Sequence, residues 1–219
     1  MRLGILGGTF DPIHLGHLRV AEEICEELEM EKVFLIPGAL PPHKDTRPIT
    51  EFHHRLAMAR IAAKDSTVLE VLDIEGRRRG FSYSIETLQE IHQLFKSSLE
   101  LFFIIGMDAF QEIRTWKEYK RLFDYAHFVV IKRPGIVSEK IEPFLFSLGI
   151  KAKKEGKRDT FVVQSGNLVI YKETTLMDIS STRIREMVAS GRSIRFLVQE
   201  SVRSYIMEKG LYRIYGNYR

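Results

Sequence analysis

The chain has 219 residues, of which 44% are hydrophobic and 28% are charged, a composition typical of a globular protein with a sizeable core. A single cysteine, Cys25, excludes an intramolecular disulfide and a cysteine-rich zinc site. The apolar N-terminus is too short for a signal peptide, and no apolar run approaches the roughly 20 residues of a membrane span. We therefore expect a cytoplasmic protein that does not enter the membrane.

The hydrophobic pattern predicts short strands that alternate with helices. Strands are predicted at residues 3–6, 32–36, 68–72, 100–105, 127–131 and 168–171. Helices are predicted at 15–28, 51–64, 85–95, 108–114, 116–122, 138–148, 181–190 and 196–209. Thr50 and Ser84 are the expected N-caps of the second and third of these helices, and Gly210 is expected to end the last. Because the strands are apolar on both faces, we expect a doubly wound parallel sheet covered by helices on both sides, an α/β fold.

The net charge of +4 is unevenly distributed. Residues 132–158 contain eight lysines and arginines and three glutamates, so this segment is strongly basic while the remainder is close to neutral. A local patch of this kind indicates an anionic ligand or a solvated insertion, not a nucleic-acid footprint of the whole protein. Residues 149–160 are charged throughout, and we expect them to be mobile.

The first strand is followed by Gly7-Gly8-Thr9-Phe10-Asp11-Pro12-Ile13-His14-Leu15-Gly16-His17, which opens the first helix. Ligands of parallel sheets sit beyond the carboxyl ends of the strands. Two glycines let the backbone approach a ligand, and a helix start offers N–H groups and a positive dipole end to an anion. His14 and His17 share one face of the first turn, and Gly16 removes bulk where a phosphate or ribose could rest. The alternative is a tight turn with two surface histidines; a metal site lacks a third ligand at suitable spacing.

A second motif, Ile179-Ser180-Ser181-Thr182-Arg183-Ile184-Arg185, lies at the predicted start of a C-terminal helix. Ser180, Ser181 and Thr182 supply hydroxyl groups, and Arg185 follows Thr182 by about one turn. Hydroxyls, N–H groups and a guanidinium together favour a second anion site. The alternative is a simple serine N-cap with arginines on the helix surface.

Together the two motifs resemble the T/HxGH and ISSTxIR signatures of the nucleotidyltransferase superfamily, in the expected order and about 165 residues apart. Further segments resemble the bacterial nicotinate mononucleotide adenylyltransferases: 41–44, 81–88, 104–109, 115–116, 133–134 and 210–213. The similarity is near-continuous over 1–135 and 168–213 and weak over 136–167. The resemblance implies one Rossmann-like domain over 1–219, with 136–167 as a variable basic insertion and 179–213 as a helical segment that carries the second signature.

The resemblance also implies roles for individual residues. The implied catalytic residues are His14, His17 and Arg185, with His17 nearest the α-phosphate. The implied ATP-binding residues are Gly7, Gly8, Thr9, Phe10, Gly16, Gly106, Asp108, Ser180, Ser181 and Thr182. The implied mononucleotide-binding residues are His43, Lys44, Tyr83, Ser84, Trp116 and Arg133. Many relatives carry threonine in place of Ser84 and an aromatic residue in place of Lys117, which affects how the pyridine ring is held.

The implied reaction joins ATP and nicotinate mononucleotide to give nicotinate adenine dinucleotide and pyrophosphate, a step of NAD biosynthesis. Mg²⁺ is expected to bind through the ATP phosphates, without a metal site of the protein's own. The expected partners are these two nucleotides, with no nucleic acid and no membrane, in a monomer or homodimer. The alternatives are a sister enzyme that acts on phosphopantetheine or another phosphate acceptor, a nucleotide sensor without turnover, and a nucleic-acid-binding module that uses 132–158. The preference for nicotinate over nicotinamide mononucleotide stays open.

Overall fold

A computed structural model of the protein describes residues 1–40, 49–95, 98–132, 141–156, 159–175 and 177–213. Its strands are β1 (Arg2–Gly8), β2 (Lys32–Pro37), β3 (Leu69–Val71), β4 (Glu100–Gly106), β5 (His127–Ile131), β6 (Ala152–Lys154), β7 (Thr160–Val163) and β8 (Leu168–Lys172). They form one eight-stranded sheet in the order β3-β2-β1-β4-β5-β8-β7-β6. The predicted α/β fold is therefore confirmed.

Six neighbouring strands, from β3 to β8, run parallel to one another. In the centre of the sheet Gly8 of β1 pairs with Pro37 of β2, while Gly106 of β4 pairs with Ile131 of β5. The strands β1, β2, β4 and β5 consequently end side by side. This alignment brings the segments that follow them to one edge of the sheet, where ligands of doubly wound folds bind.

Helices cover both faces of the sheet. They are α1 (Leu15–Glu27), α2 (Phe52–Ala63), α3 (Ile74–Arg77), α4 (Ser84–Leu94), α5 (Met107–Gln111), α6 (Tyr119–Tyr125), α7 (Ile141–Ser147), α8 (Ser181–Ala189) and α9 (Glu200–Glu208). One apolar core lies under α4 to α7, and the other lies under α1, α2, α8 and α9. In the described part of the chain, every helix is too short or too polar to serve as a membrane span.

Part of the segment 149–160, which we expected to be charged and mobile, forms a strand. Residues 152–154 form β6, which pairs antiparallel with β7, and β7 pairs antiparallel with β8. These strands sit at the edge of the sheet, where Lys153 and Lys154 are exposed to solvent. A charged pattern is typical of edge strands, because lysine there discourages pairing with a second chain.

Three predicted helix starts are wrong. The second helix begins after Glu51 instead of Thr50, and the fourth begins after Tyr83, so that Ser84 is its first residue. The last helix begins only at Glu200, because the backbone of Leu197 accepts a hydrogen bond from the N–H of Leu15 (3.0 Å) and closes a turn with Ile194. Tertiary contacts thus override the local pattern. Gly210, at φ +62°, follows the last helix as predicted.

Helix α6 is displaced towards the C-terminus relative to the predicted 116–122. It begins after Glu118, which has a left-handed backbone at φ +52°. A short 3-10 turn (Ile113–Thr115) separates α5 from this point, and Trp116 follows it in an extended conformation. Trp116 therefore lies in a connection between helices, not inside one.

Candidate active site

The segment after β1 is shaped by Gly8 and Phe10. A Cβ built on Gly8 would lie 2.8 Å from the ring of Phe10, so only glycine leaves room for that ring. Phe10 is buried and has a left-handed backbone at φ +49°, which turns the chain back towards the sheet. Gly7, by contrast, is exposed at the strand end, and a Cβ there would meet open space. The chain thus presents backbone at Gly7 while Phe10 anchors the turn.

His14 and His17 form a stacked pair at the start of α1. Their ring centroids are 3.6 Å apart with an interplanar angle of 24°, and the edge of Phe10 packs against His17 at 5.0 Å. The backbone N–H of His14, the N-cap residue, donates to Nδ1 of His17 at 3.2 Å. Because Nδ1 accepts this bond, the neutral imidazole of His17 carries its proton on Nε2. The ring is held as a fixed hydrogen-bond donor.

The interpretation of these residues as surface histidines does not fit His14, which is only 7% exposed. The space at Gly16, which we expected to be open to a phosphate or ribose, has a different occupant. A Cβ on Gly16 would lie 3.1 Å from Nδ1 and 3.2 Å from Cε1 of His14, so the space above the glycine is filled by that imidazole. A side chain at position 16 would therefore force the His14 ring to shift, and the contact of Gly16 with a ligand stays a prediction.

The second motif lies directly against the first. The hydroxyl of Ser181 donates to the carbonyl of Pro12 at 2.8 Å, and Nη1 of Arg185 donates to the carbonyl of Asp11 at 2.7 Å. These bonds join residues 169 and 174 positions apart in the chain. Ser180 is the N-cap of α8, and Thr182 accepts a hydrogen bond from Nη2 of Arg185. The guanidinium of Arg185 thus lies beside the segment that carries the two imidazoles.

This arrangement is suited to a polyanion. The N-termini of α1 and α8 meet at one place, and each contributes N–H groups and the positive end of a helix dipole. Arg185 adds a permanent positive charge, and His17 adds a neutral donor. The convergence of the two predicted anion sites into one is therefore seen in the structure, whereas the role of each residue stays a prediction.

Sequence reasoning missed Arg55, which is 1% exposed and lies behind this site. Its guanidinium donates to four backbone carbonyls in the segments after β1, after β2 and before α2. Burial lowers its pKa from the ordinary value, and the charge of Asp11 opposes that shift. The signal available in the sequence was an arginine at an otherwise apolar helix position, which indicates a buried partner.

Tyr83, Ser84 and Trp116 lie on the neighbouring part of the same sheet edge. The ammonium of Lys117 lies 4.5 Å from the ring centroid of Tyr83 and 2.7 Å from Oε1 of Glu86 in the first turn of α4. Trp116 is half-buried and meets the ring of Phe103 edge-on at 6.1 Å. Lys117 therefore ties the tryptophan segment to the start of α4, where Ser84 sits.

This second group is connected to the first through backbone contacts. Ser82, directly before Tyr83, accepts hydrogen bonds from the N–H groups of Ala39 (3.0 Å) and Leu40 (3.2 Å) through its hydroxyl. Arg55 in turn binds the carbonyls of Ala39 (3.0 Å) and Thr9 (2.8 Å). The segments that carry the two groups of predicted residues are thus linked.

The other predicted residues are distributed as follows. Gly106 ends β4 and is the N-cap of α5, and Asp108 is exposed in the first turn of that helix. His43, Lys44 and Arg133 lie outside the described residues. Within the described residues no cluster of three or more histidine, cysteine, aspartate or glutamate side chains has the arrangement of a metal site.

Comparison with known proteins places the chain in a class. The model of the cytidylyltransferase-like family matches residues 5–187. Among solved structures, a Plasmodium falciparum nicotinic acid mononucleotide adenylyltransferase complexed with NaAD superposes with a TM-score of 0.72 at 20% identity, over 96% of this chain and 97% of that one. At this identity the superposition shows the shared fold.

Curated relatives are much closer in sequence. A "Probable nicotinate-nucleotide adenylyltransferase" from Desulfatibacillum aliphaticivorans is 46% identical over 97% of this chain and 100% of its own length. A protein of the same name from Geotalea daltonii is 43% identical over 97% of this chain and 98% of its own length. The chain belongs to the cytidylyltransferase-like family and, within it, to the nicotinate-nucleotide adenylyltransferases.

Proposed function

We propose that this protein transfers the adenylyl group of ATP to nicotinate mononucleotide and releases pyrophosphate. The observation that carries the proposal is the contact of Arg185 and Ser181 with Asp11 and Pro12, which merges two anion-binding helix ends into one site. The curated relatives that match 97% of the chain carry the name of this activity. The resulting product is nicotinate adenine dinucleotide, a precursor in NAD biosynthesis.

The nucleophile is a phosphate oxygen of the mononucleotide, which is already ionised at neutral pH. The oxygen attacks the α-phosphorus of ATP, the bond to the bridging oxygen of pyrophosphate breaks, and pyrophosphate leaves with that electron pair. Such a reaction needs no general base, so catalysis consists of positioning two anions and stabilising the charge of the transition state.

In this proposal His17 donates from Nε2 to the α-phosphate. The hydrogen bond from the His14 backbone to Nδ1, the stacked His14 ring and the edge of Phe10 hold the imidazole before the substrate arrives. A donor fixed in this way does not have to reorganise during the reaction. Arg185, already oriented by the Asp11 carbonyl, is placed to bind the outer phosphates with the start of α8.

The pyridine ring is assigned to the group formed by Tyr83, Ser84 and Trp116. The tryptophan offers a flat π-face to a cationic pyridinium ring. The N–H groups at the start of α4 suit a carboxylate, which favours nicotinate over nicotinamide. Lys117 lies next to the same helix start and adds positive charge, although Glu86 partly neutralises it.

Magnesium fits this site only as an ion that arrives with the nucleotide. Asp11 is the acid in the connection between β1 and α1; its carboxylate already accepts hydrogen bonds on both oxygens, and the residue is 5% exposed. Phosphate oxygens and water would therefore hold Mg²⁺, which would supply charge neutralisation of the triphosphate.

The assay of choice measures pyrophosphate release from ATP with nicotinate mononucleotide, nicotinamide mononucleotide or phosphopantetheine as acceptor. We expect release with the nicotinate form and less with the nicotinamide form. Release with phosphopantetheine alone would identify the sister activity, and ATP binding without release would identify a sensor. A titration with duplex DNA over a range of salt concentrations tests the basic edge, including Lys153 and Lys154; we expect no salt-dependent binding at physiological ionic strength.

We keep the prediction that the protein works in the cytoplasm as a monomer or homodimer. The one cysteine, Cys25, is buried, and burial raises the pKa of its thiol, so it is an unreactive core residue. A chain with one inert thiol is compatible with a reducing compartment. Light scattering during size exclusion measures the oligomeric state directly.

A further inference from the structure

A buried polar network holds the connection between β1 and α1 in place, and the proposed reaction does not use its side chains. Its members are Asp11, Arg55 and Tyr212, the first two only 5% and 1% exposed. Tyr212 belongs to the Gly210-Leu211-Tyr212-Arg213 motif that follows the last helix, close to the end of the described chain. The network therefore joins the first loop of the protein to its C-terminal segment.

Arg55 supplies the inner half of the network. Its Nη1 donates to the carbonyls of Thr9 (2.8 Å) and Gly38 (2.6 Å), its Nη2 to Ala39 (3.0 Å), and its Nε to Thr50 (2.7 Å). One planar guanidinium thus fixes the backbone after β1 and after β2 together. A lysine ammonium could not reach these carbonyls in the same geometry.

Asp11 supplies the outer half. Oδ1 accepts the hydroxyl proton of Tyr212 at 2.8 Å, and Oδ2 accepts the backbone N–H of Thr50 at 3.3 Å. The backbone carbonyl of the same residue accepts Nη1 of Arg185 at 2.7 Å. Any displacement of Asp11 therefore displaces the arginine assigned to the outer phosphates.

Tyr212 is held firmly as a donor in this arrangement. Burial and the nearby Asp11 carboxylate raise the pKa of its hydroxyl far above the ordinary value, so the phenol stays protonated. Its backbone is left-handed at φ +63°, a conformation that a tyrosine adopts only where surrounding contacts enforce it. The hydrogen bond to Asp11 is one such contact.

We propose that Tyr212 is a positioning residue for ATP: its phenol holds Asp11, and Asp11 in turn holds Arg185 against the outer phosphates. This inference rests on the proposed function for the identity of the ligand. Arg55 fixes the same segment from the interior, but it also binds three carbonyls beyond that segment. Tyr212 is therefore the cleaner place to test the connection.

The test compares Tyr212→Phe with Tyr205→Phe. Tyr205, on α9, shares a hydrogen bond through its hydroxyl with Nδ1 of His54 at 2.9 Å, and within the described residues no hydrogen bond joins it to Asp11. Each variant loses one hydroxyl from a tyrosine in the same C-terminal region. The pair therefore separates a general loss of stability from an effect on the site.

The first readout is equilibrium binding of a non-hydrolysable ATP analogue and of AMP, by calorimetry. We expect Tyr212→Phe to lower the affinity for the ATP analogue roughly tenfold, which is the scale of one hydrogen bond to a charged group. The affinity for AMP, which has no outer phosphates, should change by less than about twofold. Tyr205→Phe should leave both affinities unchanged. Equal losses for the analogue and AMP, or no loss for either, would overturn the assignment.

The second readout is turnover, in which we expect Tyr212→Phe to raise the KM for ATP and to leave the KM for the mononucleotide unchanged. If Tyr212→Phe does not fold, Asp11→Ala removes the acceptor of the Tyr212 hydroxyl and keeps the backbone carbonyl that Arg185 contacts, and we expect the same selective loss of affinity for the ATP analogue. Failure of the wild type to transfer adenylyl groups would refute the proposed function. The binding comparison would still decide whether Tyr212 positions Arg185.

Discussion

The two ends of the central sheet carry similar polar side chains with different kinds of partner. At the carboxyl end Arg55 and Arg185 donate to backbone carbonyls of the loops. At the amino end Arg2 pairs with the side chain of Glu100 at 3.1 Å, and Glu100 in turn lies 3.7 Å from His127. Donors aimed at the backbone fix the shape of loops, whereas side-chain pairs only fasten neighbouring strands. Changes at the first end should therefore affect catalysis, and changes at the second end should affect stability alone.

The largest effect is expected for His17→Ala at the carboxyl end. The variant loses the proposed donor to the α-phosphate, and we expect kcat to fall by about 10²–10³, the scale for one lost transition-state donor. The melting temperature should change little, because the ring is at the surface side of the stacked pair and only half-buried. Steady-state kinetics with saturating substrates and a thermal melt measure both.

The matched control for this variant is His53→Ala. His53 is 64% exposed on α2, lies 3.1 Å from a carboxylate oxygen of Glu51 and packs against the ring of His54, and neither neighbour belongs to the proposed phosphate site. Its loss should leave kcat unchanged. A folded His17→Ala protein with near wild-type turnover would remove the histidine from the mechanism and weaken the contrast between the two ends.

A smaller effect is expected for Trp116→Ala, on the mononucleotide side of the same end. Loss of the π-face should raise the KM for nicotinate mononucleotide by about tenfold, within the range measured for stacking on aromatic side chains. The KM for ATP should stay within about twofold of the wild-type value, because the adenine nucleotide does not contact this ring in the proposed site. Trp116→Phe should restore part of the affinity. Equal increases in both KM values would contradict ring stacking.

A still smaller effect is expected for Gly16→Ala, which should lower the activity without lowering the stability. The new Cβ would lie 3.1 Å from Nδ1 of His14, so the stacked rings must shift by a few tenths of an ångström. We expect kcat to fall by roughly threefold to tenfold, because small misplacements at a reacting centre are costly. Alanine is a better helix former than glycine by about 1 kcal/mol, so the melting temperature should not decrease. A loss of both properties would mean that the glycine serves the fold alone.

The sequence was informative wherever burial imposes a pattern. The parallel strands are apolar on both faces, so β2, β4 and β5 were predicted nearly to the residue. The edge strand β6 was missed because solvent faces its lysines, and a charged exposed strand resembles a loop. The strand that pairs with it, β7, was also missed, although its run of threonine, phenylalanine and two valines is typical of a strand.

The site was predictable where two motifs could be matched and not where backbone carbonyls are the partners. His14, His17 and Arg185 were found because their side chains are the signal. Arg55 was not, since its four partners are carbonyls, which look the same at every residue. The sequence predicted that Gly16 leaves space at the helix start, but only the structure shows that the His14 ring fills this space.

The smallest effect, and the one that tests the amino end, is expected for His127→Asn. Nδ1 of His127 accepts the backbone N–H of Leu168 at 2.8 Å, a bond that the asparagine carbonyl can replace. Burial lowers the pKa of His127 below the ordinary 6.5. The charge of Arg2 lowers this pKa further, whereas the charge of Glu100 raises it. Between the two pKa values the unfolded chain binds more protons than the folded protein, so stability falls with acidification.

The stabilisation by neutral His127 is therefore complete above the unfolded pKa of 6.5 and is lost as pH falls through the lower folded value. We expect melting temperatures measured between about pH 8 and pH 5 to fall less steeply in His127→Asn than in the wild type, with unchanged kcat. An unchanged slope in His127→Asn, or a loss of turnover at neutral pH, would show that the two ends of the sheet do not divide stability from catalysis.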